Sequence, residues 1–323
     1  MAAPDHEIPD KGDLNFSPGV AYSARVNNVW QGGKDNFAAD RVAAERAVEA
    51  FPQLPAAVRA GIGFRARAVR YLTDAGIRQF LDLGCGLTAG DPVHVIAQAA
   101  AAGSRVVYVD NDPMVITHAR ALYRSVPEDG CGYLQADIRD RAQVLASAAS
   151  TLDLGRPVAV LMASVLHLIP DSDDPYGLVR EVLAAVAPGS YLLIVHPASD
   201  IRPDASRQME SRLNDLVAQQ RTYRDHAQVT AFYTGLELVE PGIVGVPRWR
   251  PESDADDGLV RSGQEAARRL GPPADQVGGA LGDRDHRRLG VAGGNDRDHR
   301  RIGHVQPVDP AHPQVRADHR VRS

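Results

Sequence analysis

The chain has 323 residues, enough for one large domain or two ordinary ones with a sizeable core. A net charge of −5 and a pI near 6.1 argue against a nucleic-acid partner, and the two cysteines, Cys85 and Cys131, exclude a disulfide framework. No stretch approaches the roughly 18 apolar residues of a membrane span, and the first residues show no basic-then-apolar leader, so a cytoplasmic protein with small-molecule ligands is expected.

In chain order, residues 1–15 are rich in Asp, Pro and Gly and read as a disordered tail. "NFAADRVAAERAVEAF" predicts a helix with Asn36 as its N-cap, because Phe37, Val42, Ala44 and Val48 fall broadly on one side. A second helix has Pro55 near its first turn and stops at Gly76. From residue 79, short apolar runs alternate with amphipathic stretches: "QFLDLG", "RVVYVD", "GYLQAD", "VAVLMAS" and "SYLLIV" are buried-strand candidates separated by crossover lengths. That alternation predicts an α/β fold with an open, mostly parallel sheet and helices on both faces. "LELVEPGIVGVPRW" adds an antiparallel edge hairpin turning at Pro241-Gly242. Residues 253–323 contain no Phe, Trp or Tyr, are compositionally biased, and are expected to be disordered or badly packed.

The loop "LDLGCGLTAG" after the first strand fits two templates. "GCGLTA" satisfies the dinucleotide pattern, and Asp110 ends the next strand as a NAD site requires. Against this, Asp91-Pro92 reads as the N-cap and first residue of the following helix, which starts too late to cradle a pyrophosphate. With Asp82, the stretch becomes D-x-G-x-G, the first motif of class I S-adenosylmethionine (SAM) methyltransferases. Gly84 and Gly86 let the backbone approach a ligand, while Asp82 organises the loop or reaches an ammonium group. Asp110 is suited to accept both hydroxyl protons of a ribose, with Asn111 beside it; Asp112-Pro113 reads as a helix start. Asp137 after the third strand is suited to an adenine amino group, with Ile138 as its apolar neighbour. Three carboxylates at the ends of successive parallel strands converge on one crevice.

"GGKDNFAADR", "FLDLGCGL", "VVYVDNDPMVITHARAL", "VLHLIPDSDDPYGLV" and "LELVEPG", in that order, resemble a bacterial SAM-dependent methyltransferase family long catalogued as a domain of unknown function. The resemblance runs from about Phe16 to Arg250. It implies a class I Rossmann-like methyltransferase domain over 77–252, a helical cap over 16–76, and SAM as cofactor. It also implies that Gly33 gives a sharp reversal and that Lys34 or Asp35 addresses the cofactor or acceptor. Arg25, Asn28 and Trp30 keep the family pattern, whereas Asn27 and Val29 stand where aromatics are common and Gln31 replaces a leucine. Such proteins finish soon after a "WRP" segment, so the chain beyond about Asp256 is expected to be a frame-shifted or divergent extension.

Methyl transfer from a sulfonium is an in-line displacement that needs positioning and, for some acceptors, a base. "SVLHLIPDSDDP" follows the fourth strand, nearest the methyl group in this architecture. Ser164 is a ligand contact there, His167 is the base candidate with Asp171 to orient it, and His196 is a second candidate. A packed histidine is an equal reading of His167, and a non-catalytic SAM-binding protein is the rival function. The acceptor is expected to be a small molecule; neither a metal, a nucleic acid nor a membrane is implied, and oligomeric state is not legible.

Overall fold

The computed structural model describes residues 17–123 and 130–251, together with the strand backbones of 276–283 and 288–291. The expected tail at 1–15 and the rest of 253–323 lie outside the described residues.

Three helices open the fold: α1 (Ser23–Trp30), α2 (Ala38–Ala50) and α3 (Leu54–Asp74). The Asn36 cap is corrected. Phe37 is the N-cap of α2, and the Asp40 carboxylate accepts its amide proton at 2.8 Å. Asn36 is held elsewhere, by Asn28, whose Oδ1 accepts from Asn36 Nδ2 and from the Asp35 amide, both at 3.0 Å. Gly33 belongs to the same turn, because a Cβ there would stand 2.3 Å from the Asn28 side chain. A later helix, α8 (Pro203–Asn214), joins this cap, burying Met209 and Leu213 against Trp30, Phe51, Leu54 and Val58. Its sequence is so polar that little announces it.

The parallel sheet runs β3 (Cys131–Gln135), β2 (Arg105–Asp110), β1 (Gln79–Leu83), β4 (Ala159–Ala163), β5 (Tyr191–Pro197). Both faces of β1, β2, β4 and β5 are buried, which is why those strands read as continuous apolar runs, whereas β3 at the edge is only half-buried. Leu81, Val107, Val160 and Ile194 face one layer, with α6 (Arg141–Ala148) and α7 (Pro175–Ala184). Phe80, Val106, Leu161 and Leu193 face the other, with α3 and α4 (Val93–Ala100). Each fully buried Leu or Phe contributes roughly 1.5–3 kcal/mol. Trp249 closes the second layer edge-on to Phe64, with ring centroids 5.3 Å apart, and Arg67 fixes that segment by donating to the carbonyls of Trp249 and Val246 at 3.0 and 2.7 Å.

Antiparallel pairing does occur at the β5 edge, with different partners. The runs of "LELVEPGIVGVPRW" become β6 (Leu236–Val239) and the two-residue β7 (Val244–Gly245), and both pair with β8 (Gln276–Asp283) rather than with each other. Gly242, at φ 79°, turns the chain, but the strand after it is only two residues long before a 3-10 turn begins at Val246, too short for a hairpin. β8 lies antiparallel between β5 and β6, and β9 (Arg288–Val291) pairs with β6 and β8. Two stretches of the expected disordered tail therefore enter the sheet.

Arg25 joins the cap to the sheet. Fully buried, it donates to Asp112 at 3.2 Å, lies 3.9 Å from Asp40, and stacks over Tyr22 at 4.4 Å. Asp112 is also the N-cap of α5 (Pro113–Leu122), accepting the Met114 amide proton at 2.9 Å. Removing one partner of a buried pair leaves the other charge uncompensated, so Arg25→Met is expected to cost roughly 3–5 kcal/mol. Urea unfolding measures it, and a loss below about 1 kcal/mol would refute the anchoring role.

Candidate functional site

A cleft of about 410 Å³ opens at the carboxyl ends of the strands, where the sheet order reverses between β1 and β4. The glycine loop forms its floor. The amides of Gly84 and Cys85 both donate to the Val109 carbonyl, at 2.8 and 3.1 Å, holding the loop against β2. Gly84 has φ 73°, and a Cβ there would stand 2.4 Å from Val165, so glycine is required by conformation and by space. Gly86, at φ 61°, has nothing within 4 Å of its Cβ position and borders the cleft. The next helix, α4, has Pro92 as N-cap and not Asp91, a shift of one residue. It still begins seven residues past Gly86, so the loop is not the first turn of a phosphate-binding helix.

Asp110 accepts the Gly86 amide proton on Oδ2 at 2.9 Å and the Asp112 amide proton on Oδ1 at 3.0 Å. Burial pushes its carboxyl up to about 6, against the pull of those two donors and helped by the charges of Asp112 and Asp82. Asp82 is buried behind the loop and does not itself line the cleft. Burial also raises it to about 6, with the Arg65 guanidinium opposing, and its Oδ2 has no hydrogen-bond partner. Asp137, Ile138 and Asn111 line the far end of the cleft. Arg139 clamps Asp137 with hydrogen bonds at 2.6 and 3.0 Å, which hold its carboxyl below the usual range.

Ser164, at the end of β4, has φ 65°, a strained conformation for a residue with a Cβ. It borders both this cleft and a second cavity of about 60 Å³. His167 borders the second cavity only, and its Nδ1 is buried without a partner. Burial holds its imidazole well below 6.5, reinforced by His196, Arg221 and Arg224. The expected Asp171 to His167 pair does not form. Asp171 accepts from Arg224 at 2.7 and 3.1 Å, because Arg224 is buried under that loop and also binds the carbonyls of Leu166 and Ile169. His196 faces the same arginine, with Nε2 3.2 Å from Arg224 Nη1. Gly33 and Lys34 are also placed away from the cleft, Lys34 being exposed, since the Asn28-centred turn directs that stretch outward.

The cap supplies lining residues that the motifs did not mark. Gln31 accepts the Ala89 amide proton at 2.7 Å, tying α1 to the glycine loop. Arg65 donates to Thr88 Oγ1 at 2.8 Å, and its Nε is buried without a partner. The leucine-to-glutamine departure at position 31 was the one available signal. Among the described residues no helix is long and apolar enough to cross a membrane.

Residues 12–271 match the sequence profile of a family described as S-adenosyl methyltransferase. The match reaches past Asp256. A solved DUF574 family protein from Streptomyces avermitilis MA-4680 is 37% identical, with TM-score 0.75, over 82% of this chain and 98% of its own. A structure from Thermobifida fusca YX, named as a candidate methyltransferase, is 35% identical, with TM-score 0.68, over 76% and 90%. No curated protein matches the sequence. With an α/β sheet of this order, a glycine loop set apart from its helix, and a family match over most of its length, the chain belongs to the S-adenosyl methyltransferase family, and its cofactor is SAM.

Proposed function

We propose that this protein transfers the methyl group of SAM to an oxygen or nitrogen atom of a small molecule held beneath the helical cap. The observation that carries this reading is that two neighbouring cavities share the wall residues Asn27, Val58 and Ser164, the 410 Å³ cleft on the strand ends and the 60 Å³ cavity between the cap and the end of β5. The second is too small for a macromolecular segment of any length and is walled by cap residues such as Phe51 and Leu54.

The residues fit the cofactor. Asp110 would accept the ribose hydroxyl protons, Asp137, Ile138 and Asn111 would flank the adenine, and Gly84 and Gly86 would admit the methionine portion. The unpartnered Nε of Arg65, which lines the cleft, marks a deficit of polar partners beside the loop, where the methionine carboxylate would come. Bound SAM supplies a methyl group on a sulfonium centre, and the electrons of the broken bond remain on sulfur. Ser164 borders both cavities and would orient the acceptor. His167, neutral at physiological pH through burial, would take the acceptor proton on its free Nδ1. Asp171 has no part in this, since Arg224 engages it.

Three outcomes test the reading. His167→Gln is expected to lower kcat for a responsive acceptor roughly a hundredfold while S-adenosylhomocysteine affinity stays within about twofold. Transfer untouched by the substitution would remove the base, and cofactor binding without transfer across oxygen and nitrogen acceptors would favour a SAM-binding regulator. Asp110→Asn should weaken S-adenosylhomocysteine about tenfold or more in calorimetry, because it removes a charged acceptor of two hydrogen bonds.

The third outcome is a pH profile. Asp110 and Asp82 both protonate near 6 in the free protein, and for Asp110, which lines the cleft, ribose hydroxyls favour the ionised form. Affinity should therefore be flat above about pH 7 and about tenfold weaker by pH 5. The same raised values stabilise the unliganded fold below the ordinary carboxyl range, a contribution lost as pH rises through 6. The weaker binding at pH 5 is thus not unfolding driven by these two groups. A flat profile down to pH 5 would refute the assignment.

A further inference from the structure

We infer that the second cavity is an acceptor subsite for a carboxylate, with Arg221 as its counter-ion. This rests on the methyltransferase reading above.

Arg221 is 5% exposed and lines the cavity, and its Nη1 has no hydrogen-bond partner. Among the described residues, none of the ion pairs includes it. A buried, unpaired guanidinium is strongly unfavourable, so a fold that keeps one gains from a ligand that neutralises it. Burial holds this guanidinium below its ordinary range, with only the neighbouring Tyr223 opposing. Two further polar atoms beside the cavity are buried without partners, His167 Nδ1 and Asn27 Oδ1. Both of those atoms accept hydrogen bonds, so they suit a hydroxyl or amine proton elsewhere on the ligand, and the carboxylate is matched by the unpaired guanidinium.

The geometry selects among anions. The cavity has room for about four water-sized spheres, which suits a carboxylate on a short stem. The planar guanidinium matches a carboxylate through paired hydrogen bonds. Apolar cap residues, among them Phe51 and Met209, wall the stem. Because Ser164 lines both this cavity and the cofactor cleft, and His167 lines this cavity, a carboxylate held by Arg221 would leave the remainder of the acceptor beside Ser164 and His167. The cofactor has a carboxylate of its own, but Arg65 stands beside the glycine loop for it.

The test uses the full chain saturated with S-adenosylhomocysteine and titrated calorimetrically with monocarboxylates from acetate to benzoate, each against its neutral amide. At least one carboxylate should bind about tenfold or more tightly than its amide, and Arg221→Gln should erase that difference while S-adenosylhomocysteine affinity stays within about twofold. The variant should also melt at a higher temperature than the unliganded parent, which shows that it folds and that the charge was uncompensated. Equal binding of acids and amides, no binding of either, or discrimination kept in the variant would each overturn the subsite. A tenfold loss of S-adenosylhomocysteine affinity in the variant would overturn it too, by giving Arg221 to the cofactor's carboxylate. Failure of the parent to bind S-adenosylhomocysteine would be a different result, refuting the methyltransferase reading beneath it.

Discussion

The Asp110 carboxylate is the constraint on which the site depends. One oxygen holds the glycine loop through Gly86, the other holds the start of α5 through Asp112, and Asp112 in turn meets Arg25 of the cap. A single line of hydrogen bonds thus runs from the cap, through the end of β2, to the loop that floors the cleft. Two donors are too few for a buried carboxylate, which is why its protonation is displaced to about 6. A ligand offering two hydroxyls to the same oxygens would complete the set, so the proposed ribose contact would draw on the same carboxylate that orders the loop.

The sheet was legible in the sequence because burial on both faces makes each strand a continuous apolar run, and because carboxylates at the ends of such runs have only one place to go. Asp110 and Asp137 reach the cleft as that topology predicts, without knowledge of any contact, whereas Asp82 stays behind the glycine loop. Side chains that reach the site from a distance carry no such mark. Gln31 meets Ala89 and Arg65 meets Thr88 only after the cap has docked. Asp171 is the clearest case: four residues from His167 in sequence, it is claimed by Arg224, whose position depends on packing far along the chain. The position of Lys34 is illegible for the mirror reason, since the turn around Asn28 that leaves it exposed is a local polar knot whose direction no periodicity reports.

The sheet edge shows a different limit. Composition measures how much apolar surface a segment can bury, and residues 253–323 offer little. Joining a sheet requires in addition only backbone donors and acceptors in register, which glycine supplies as well as valine. An uncovered β5 edge is a template of that kind, and the run at 276–283 fills it antiparallel, leaving β6 outside. The short β7 completes what a hairpin from "LELVEPGIVGVPRW" was expected to provide.

Arginine carries the long-range polar connections in this protein, where lysine occurs only twice. Five arginines are buried among the described residues, Arg25, Arg65, Arg67, Arg221 and Arg224. Their surroundings separate them by purpose. Arg25 and Arg224 meet carboxylates as well as backbone carbonyls, Arg67 binds two carbonyls across the α3 interface, and Arg65 reaches a hydroxyl and a carbonyl at the loop. Each joins elements distant in sequence, which is what a rigid fork with five donors does well. Among the described residues Arg221 makes no ion pair and its Nη1 has no hydrogen-bond partner, yet it is as deeply buried as Arg67 and stands beside the base candidate. A guanidinium that fastens no element serves the fold poorly and serves an anionic ligand well, and that contrast within one chain separates the binding arginine from the structural ones.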